Sequence, residues 1–464
     1  SSVNITFPEQ KRNLIYIFLE SMEMTYADKE NGGAFKQNVI PELTQLAQEN
    51  EDFSGKSNKL NGGYSMPGTT WTMGAMFGQT SGLPLNISID GNSMDTQDSF
   101  FPGITTLGDI LQNEGYSQTL LIGSEATFGG RKLYFTDHGQ YDIMDYNYAQ
   151  DNGLIPEDYK VWWGYEDEKL FGFAKEKLLE LAQQDNPFNL TMLTVDTHFE
   201  DGYVCDICPD TFGDNQYANV MACSSRQVKE FIDWVQQQDF AADTTIVISG
   251  DHQTMDSDFC EDVDKDYERR VYTTYINADA EKQTEKKRKY TIFDDFPTTL
   301  SAMGAEIEGD RLGLGTNLFS AKETLSEKEG VTVEYNKMLK KSKLMEKLSD
   351  IDEEEYRRKE EEKVSPTADV KIKKTGKDNQ VLIKVENIEH LKKGLQSITA
   401  AVWKNEDQSD LQWVNLAVFE NGICKTKVDL SNYEPMQGEY NVHIYIIDGK
   451  GDAHNVAGTT FEIK

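Results

Sequence analysis

Five short stretches of this chain carry side chains suited to metal and phosphoryl chemistry. Glu20 closes the apolar run LIYIFL (14–19), and a carboxylate at the end of a buried strand offers a hard oxygen at a sheet edge. Asp251-His252 ends TTIVISGDHQT and pairs a hard oxygen with an imidazole on a tight turn, a donor set suited to Mn²⁺, Mg²⁺ or Zn²⁺. The plainer alternative there is a turn whose Asp bonds its own backbone. In YSMPGTTWTMGAMFGQTSGLP (64–84), Pro67-Gly68 breaks the chain, and Thr69, Thr70 and Thr72 precede a small, apolar run that reads as a buried helix. A hydroxyl near a helix N-terminus meets N–H groups and a dipole that favour an alkoxide or a phosphate, although threonine is also an ordinary N-cap. Phe128-Gly129-Gly130-Arg131 and Tyr134–His138 (134–138) follow the run LLIG, and Thr197-His198 follows TMLTV. Arginine offers a planar fork for phosphate oxygens, and His198 can hold or pass a proton.

These residues are far apart in sequence, so the fold must gather them. Runs 14–19, 117–122, 188–195 and 244–248 have the length and β-branched or aromatic content of buried strands. Helical patterns at 40–49, 104–114, 166–184 and 225–238 lie between them. This alternation predicts an α/β domain over 1–320, with a largely parallel central sheet sandwiched by helices. Ligands of such sheets collect at the carboxyl edge of the strands, where all five stretches would then converge. The segment 321–365 reads as a solvated helical connector: its first 43 residues hold 11 Lys+Arg and 13 Asp+Glu. Beyond Pro366 the chain alternates at strand period between Gly, Asn and Asp turns, which predicts a small antiparallel β-sandwich-like domain over 366–464.

Composition narrows the partners. With 46 Lys+Arg against 80 Asp+Glu the net charge is −34, which argues against nucleic acid or an anionic lipid surface as a binding partner. At 38% hydrophobic and 11% aromatic the chain is expected to fold. No run approaches a membrane span, and the start at Ser1-Ser2 reads as a processed or excised portion whose anchor lies outside this chain. Cys205, Cys208 and Cys223 crowd one loop-like segment with no second ligand pair to complete a zinc site. A disulfide from Cys223 to Cys205 or Cys208 is expected, and with it an extracytoplasmic location.

In the order Glu, Thr, His, Asp-His, the segments IFLES, GTTWTMG, TVDTHF and SGDHQTMD resemble the alkaline phosphatase–sulfatase superfamily, in the branch of lipoteichoic acid synthases and membrane phosphoglycerol transferases. The resemblance runs over about 13–319 and includes the ending IFDDFPTTLSAMGAEIEGDRLGLGTNLF. It implies that Glu20, Thr72, Asp251 and His252 ligate one divalent ion, typically Mn²⁺, with Mg²⁺ or Zn²⁺ as alternatives. Thr72 is then also the nucleophile, because the family's threonine follows Gly-x-Gly-Lys or Gly-x-Gly-Trp, matched here by Gly68-Thr69-Thr70-Trp71-Thr72 with Thr70 in place of the second glycine. Arg131 falls where the family binds phosphate, Phe128 near an aromatic position that packs on glycerol, and His198 at its strand–His motif. Ile122-Gly123-Ser124-Glu125 departs from the family's His-Gly-Asp, so acceptor recognition or proton handling should differ. No cysteine lies in the Cys-x-Pro-x-Arg context that sulfate-ester chemistry requires.

The implied activity is transfer of glycerol phosphate from a phosphatidylglycerol-type headgroup to a glycan or polyglycerolphosphate hydroxyl. It would occur at the extracellular face of the membrane, or in released protein, with membrane contact through a tether outside this chain. A metal-dependent phosphodiesterase or phosphatase on the same scaffold, and a non-catalytic cell-surface binding module, are the alternatives. The stretch GEYNVHIYIIDGKGDAHNVAGTTFEI resembles the Bsp-like repeats of Gram-positive surface proteins.

Overall fold

The run NLIYIFL becomes the central strand because it is apolar on both faces and can be covered on both. In a computed structural model describing residues 3–418 and 421–464, this strand, β1 (Asn13–Leu19), is buried from Leu14 onward. The other strands of its sheet are β2 (Gly62–Gly63), β3 (Ser117–Ile122), β4 (Asp142–Met144), β5 (Phe188–Leu193), β6 (Thr244–Gly250) and β7 (Val271–Ile276). They lie in the order β2-β7-β6-β1-β5-β3-β4. The five from β6 to β4 are mutually parallel, and β7 pairs antiparallel with both β6 and β2.

Alternate side chains of β1 serve opposite faces. Ile15, Ile17 and Leu19 pack in one cluster with residues of helices Pro41–Glu49, Asp167–Ala182 and Gln216–Gln236. From the other face, Tyr16 donates a 2.6 Å hydrogen bond to Gln79 of helix Thr72–Ser81. The expected sheet covered by helices is therefore present, with three strands the sequence reading lacks: the short β2 and β4, and β7. VYTTYI (β7) carries two threonines in a short run, and its burial comes from the antiparallel pairing with β6. The helix expected at 225–238 begins earlier, at Gln216, where the Asn215 side chain caps it by accepting from the Ala218 N–H.

The chain divides into two compact units, Ser1–Ile351 and Asp352–Lys464. Much of the charged segment thus belongs to the first unit. Val331 and Met338 of its helix Val331–Met338 pack with Leu314 around Tyr64, Met66 and Phe293. Arg288, buried, donates to the carbonyls of Leu318, Ser320 and Lys322 and pairs with Glu327, which fixes helix Leu325–Glu329. The second unit holds helix Glu353–Lys363 and two four-stranded antiparallel sheets. Val381, Ile383 and Val385 from one sheet and Val442, Ile444 and Ile446 from the other share a single core, the arrangement of a β-sandwich.

Candidate active site

The carboxyl edge of the parallel strands gathers Glu20, at the end of β1, and Asp251-His252, at the end of β6. The approach there is close: a Cβ on Gly250 would lie 1.8 Å from the Met22 carbonyl oxygen, so only glycine fits before Asp251. Ser21 adopts a left-handed φ of 55° and turns its N–H onto Asp251 Oδ1 at 2.8 Å. The His252 N–H donates to the same oxygen at 2.7 Å. Asp251 Oδ2 is left buried without a hydrogen bond, as is His252 Nε2. That nitrogen stands 3.2 Å from Glu20 Oε1 and 3.5 Å from Asp251 Oδ2. Because His252 Nδ1 donates to the Gln253 carbonyl at 2.7 Å, Nε2 is the nitrogen available to a ligand. Thr72, the first residue of helix Thr72–Ser81, completes the group by donating from Oγ1 to Glu20 Oε2 at 2.9 Å.

The electrostatics of this trio favour positive charge among the carboxylates. Burial, then the Glu20 charge, hold the Asp251 carboxyl well above the ordinary carboxylate range. Burial disfavours charge on His252 as well, but Asp251 and Glu20 draw it up to about 10. Burial alone would raise Glu20, yet the His252 charge beside it holds it low. Ligand atoms of Glu20, Asp251 and His252, all buried, lie within 4.8 Å of one another. Two orphaned polar atoms, two carboxylates and an imidazole with its lone pair facing them fit a divalent ion.

The other threonines are accounted for. Thr69 turns its hydroxyl back on its own loop, donating to the Met66 carbonyl at 2.7 Å and accepting from the Met66 N–H, and Thr70 is exposed. Arg131, buried at the start of helix Arg131–Asp137, donates to Ser124 Oγ at 3.2 Å and to the Glu125 carbonyl, while its Nε has no partner. Burial lowers its pKa to about 10, against the raising charges of Glu20, Asp145 and Asp251. Ser124 and Glu125 are thus the arginine's holders in the stretch that departs from the family pattern. Phe128 is 53% exposed and meets Trp163, itself 43% exposed, edge-on at 6.1 Å. Trp163 in turn lies 5.1 Å from the His198 ring. Trp163 escapes the sequence reading because WWG carries no periodicity; a double tryptophan beside a glycine is its one signal. His138, singled out with its neighbours above, is structural: buried, it bonds Asp109 through Nδ1 at 2.7 Å and the Phe100 carbonyl through Nε2 at 2.6 Å.

Residues 12–305 match the family model described as Sulfatase. The chain belongs to the sulfatase family. Over 322 residues it is 31% identical to phosphoglycerol transferase I of Escherichia coli and, equally, to that of Shigella boydii, an alignment covering 68% of this chain and 40% of each relative. The chain therefore spans well under half the length of these relatives. Its fold matches the lipoteichoic acid synthase LtaP from Listeria monocytogenes with a TM-score of 0.51 and 18% identity, over 66% of this chain and 75% of that one. All of these fall in the alkaline phosphatase–sulfatase superfamily. Residues 370–461 match the GBS Bsp-like repeat.

In this sulfatase-family chain the segment leading to His198 is also what steadies Glu20. Thr194 Oγ1 accepts from the Glu20 N–H at 3.0 Å, and Thr197 Oγ1 donates to the Glu20 carbonyl at 2.5 Å. Tyr217 holds the Thr197 carbonyl at 2.6 Å. Further along, Cys208 and Cys223 form the disulfide, with their Cα atoms 5.2 Å apart, and the Cys205 thiol lies 3.3 Å from Cys208 Sγ. Of the two expected pairings, the bond falls on Cys208. Among the described residues, no helix is long and apolar enough to cross a membrane.

Beneath the His198 turn, Asp167 and Asp196 form a reciprocal buried pair. Asp167 accepts from the N–H groups of Val195 and Asp196, and Asp196 accepts from the Asp167 N–H. Burial raises both carboxyls, and the Asp167 charge raises Asp196 further. A carboxyl raised on folding binds its proton more tightly in the native state, so its contribution is full below the ordinary carboxylate pKa and is lost as pH rises through the native value. Asp196→Asn is expected to raise the melting temperature at pH 8 and to flatten its fall between pH 5 and 8. Thermal melts across pH check this; an unchanged slope in the variant contradicts a raised Asp196 carboxyl.

Proposed function

We propose that this protein is a phosphoglycerol transferase that works through Thr72 as a covalent nucleophile, moving glycerol phosphate from a phosphatidylglycerol-type lipid to an acceptor hydroxyl. The observation that carries the reading is the Thr72 hydroxyl set 2.9 Å from Glu20, beside two orphaned ligand atoms at a helix N-terminus. Glu20, Thr72, Asp251 and His252 would hold one divalent ion, Mn²⁺ by preference and Mg²⁺ or Zn²⁺ as alternatives. Bound there, it would favour the Thr72 alkoxide and offset charge on a phosphoryl oxygen.

The chain's own groups divide the remaining work. Glu20 Oε2 orients the Thr72 hydroxyl, and the first-turn N–H groups of helix Thr72–Ser81 face developing negative charge. Arg131, clamped by Ser124 and Glu125, places its guanidinium on the phosphate. Phe128 and Trp163 form an apolar wall for the glycerol. Thr72 Oγ1 enters the cycle, and leaves it, as the alkoxide: it bonds to phosphorus as the bond to the diacylglycerol oxygen breaks, and that oxygen takes a proton from His198 Nε2. His198 Nδ1 is engaged by the Phe199 carbonyl at 2.7 Å, which leaves Nε2 for this exchange. In the second step the acceptor hydroxyl gives its proton to His198, attacks phosphorus from the vacated side and releases Thr72.

The location that goes with this reading is the extracellular face of a membrane, reached through a tether. With a net charge of −34 the chain is not drawn to anionic lipid, so this piece alone is expected to leave phosphatidylglycerol vesicles unbound at physiological salt. Cosedimentation checks that, and tight binding contradicts it. Incubation with fluorescent phosphatidylglycerol and Mn²⁺, then mass spectrometry of the Thr72 peptide, tests the chemistry. A glycerophosphate adduct that acceptor sugar discharges supports transfer, an adduct discharged by water alone supports the hydrolase, and no adduct refutes a covalent threonine.

A further inference from the structure

In the second unit, four antiparallel strands form one sheet in the order Gln412–Asn415, Leu395–Trp403, Gly438–Asp448 and Ala453–Ile463. Ile398, Ala400 and Val402 pair with Ile446, Ile444 and Val442 and point into the sandwich core, so the residues between them face outward. Register sets two outward rows across the sheet: Trp413, Ala401, His443 and Gly458, then Asn415, Thr399, Tyr445 and Asn455. Trp413 is 61% exposed, and its ring meets Tyr445 at 5.4 Å. Asn415 and Asn455 are exposed beside this pair. His443 meets Trp403 edge-on at 4.8 Å, and Asn455 Nδ2 lies 3.4 Å from His443 Nδ1. A Cβ on Gly458 would lie 3.1 Å from His443 Cδ2, so glycine lets that ring rest against the sheet.

We propose that this face binds an uncharged polysaccharide laid across the strands. Charge decides the occupant. Among the described residues, the outward positions from the Ser397–Ile447 pair to the Trp403–Asn441 pair, with their neighbours on both flanking strands, include no Asp, Glu, Lys or Arg. Carboxylates return at Glu439 and Glu462, the next outward pair. The outer face of the other sheet is the opposite, with Lys371 and Lys384 both in ion pairs with Glu386. A polyanion or a charged protein surface would find no counter-charge among the rings and would lose hydration there uncompensated. A sugar chain matches the groups present: its C–H faces pack on exposed rings, and its hydroxyls exchange hydrogen bonds with Asn, Thr and Tyr side chains. An outer sheet face, open rather than concave, suits an extended polymer better than a small molecule. The inference does not rest on Thr72, which belongs to the first unit.

The test incubates the full chain with insoluble chitin, cellulose and β-1,3-glucan and measures its depletion from solution. The chain is expected to bind at least one of them, equally at low and high salt. Trp413→Ala should weaken that binding about 5–10-fold, and Tyr445→Ala about as much. Because the Trp413 side chain is exposed, its removal should leave the melt unmoved. Trp413→Phe should retain most of the affinity, and Lys371→Ala, on the opposite face, should bind as its parent does. Thr72→Ala should bind normally too, so failure of the transfer chemistry and failure of this site are read separately. The proposal is overturned if none of the three polysaccharides is bound, if Trp413→Ala binds as well as its parent, or if raising salt abolishes binding. A Trp413-dependent dimer in sedimentation, without polysaccharide binding, would give the face to a second copy and overturn it as well.

Discussion

Thr72→Ala is expected to lower release of diacylglycerol from phosphatidylglycerol by about 10⁴-fold or more, the scale seen when a covalent nucleophile is removed. The fold should survive the change. Thr72 is half-buried at the first position of its helix, and its one side-chain hydrogen bond, to Glu20, is worth about 1 kcal/mol. For a unit of this size that is a melting shift of about 1–2 °C. Thr72→Ser keeps a hydroxyl at the same atom and should keep measurable turnover and the adduct. Steady-state assays beside thermal melts separate these outcomes. Activity within about tenfold of the parent in Thr72→Ala would remove the nucleophile, since Thr69 is spent on its own loop and Thr70 is exposed.

Asp251→Asn should change stability in opposite directions with and without metal. Asn can still accept from the Ser21 and His252 N–H groups, while the substitution removes one of two carboxylates crowded in a buried site. Without metal the variant is therefore expected to melt higher than its parent. In the parent, Mn²⁺ at about 100 times its Kd adds about 2.7 kcal/mol, a rise of roughly 3–5 °C. That rise should be absent in the variant, with turnover down by about 10³-fold or more. Paired melts with and without Mn²⁺ give the answer. A metal-dependent rise preserved in Asp251→Asn contradicts the assigned ligands.

The parts of this molecule most legible in sequence are those where pattern and position coincide. LIYIFL and TTIVIS can only be covered on both faces, so the charged residues that end them had to lie at the sheet edge, and the fold brings Glu20 to His252 there. The motif favours Thr72 over its neighbours, and the turn closed by Thr69 on Met66 shows why the Thr69 hydroxyl points elsewhere. Other features were hidden because tertiary packing decides them. VYTTYI reads as a weak strand until β6 lies beside it. Cys205 and Cys208 are both candidates for Cys223 until the loop geometry selects Cys208. The Asp167–Asp196 pair joins a helix start to a strand end across separate stretches of chain, and nothing local marks either residue as buried.

Crystals soaked with Mn²⁺ and measured at its absorption edge test the central claim most directly. The account predicts one anomalous peak bonded by Glu20, Thr72 Oγ1, Asp251 and His252 Nε2. A peak among Glu200, Asp256 and Asp258 instead, or none beside Thr72, would contradict it.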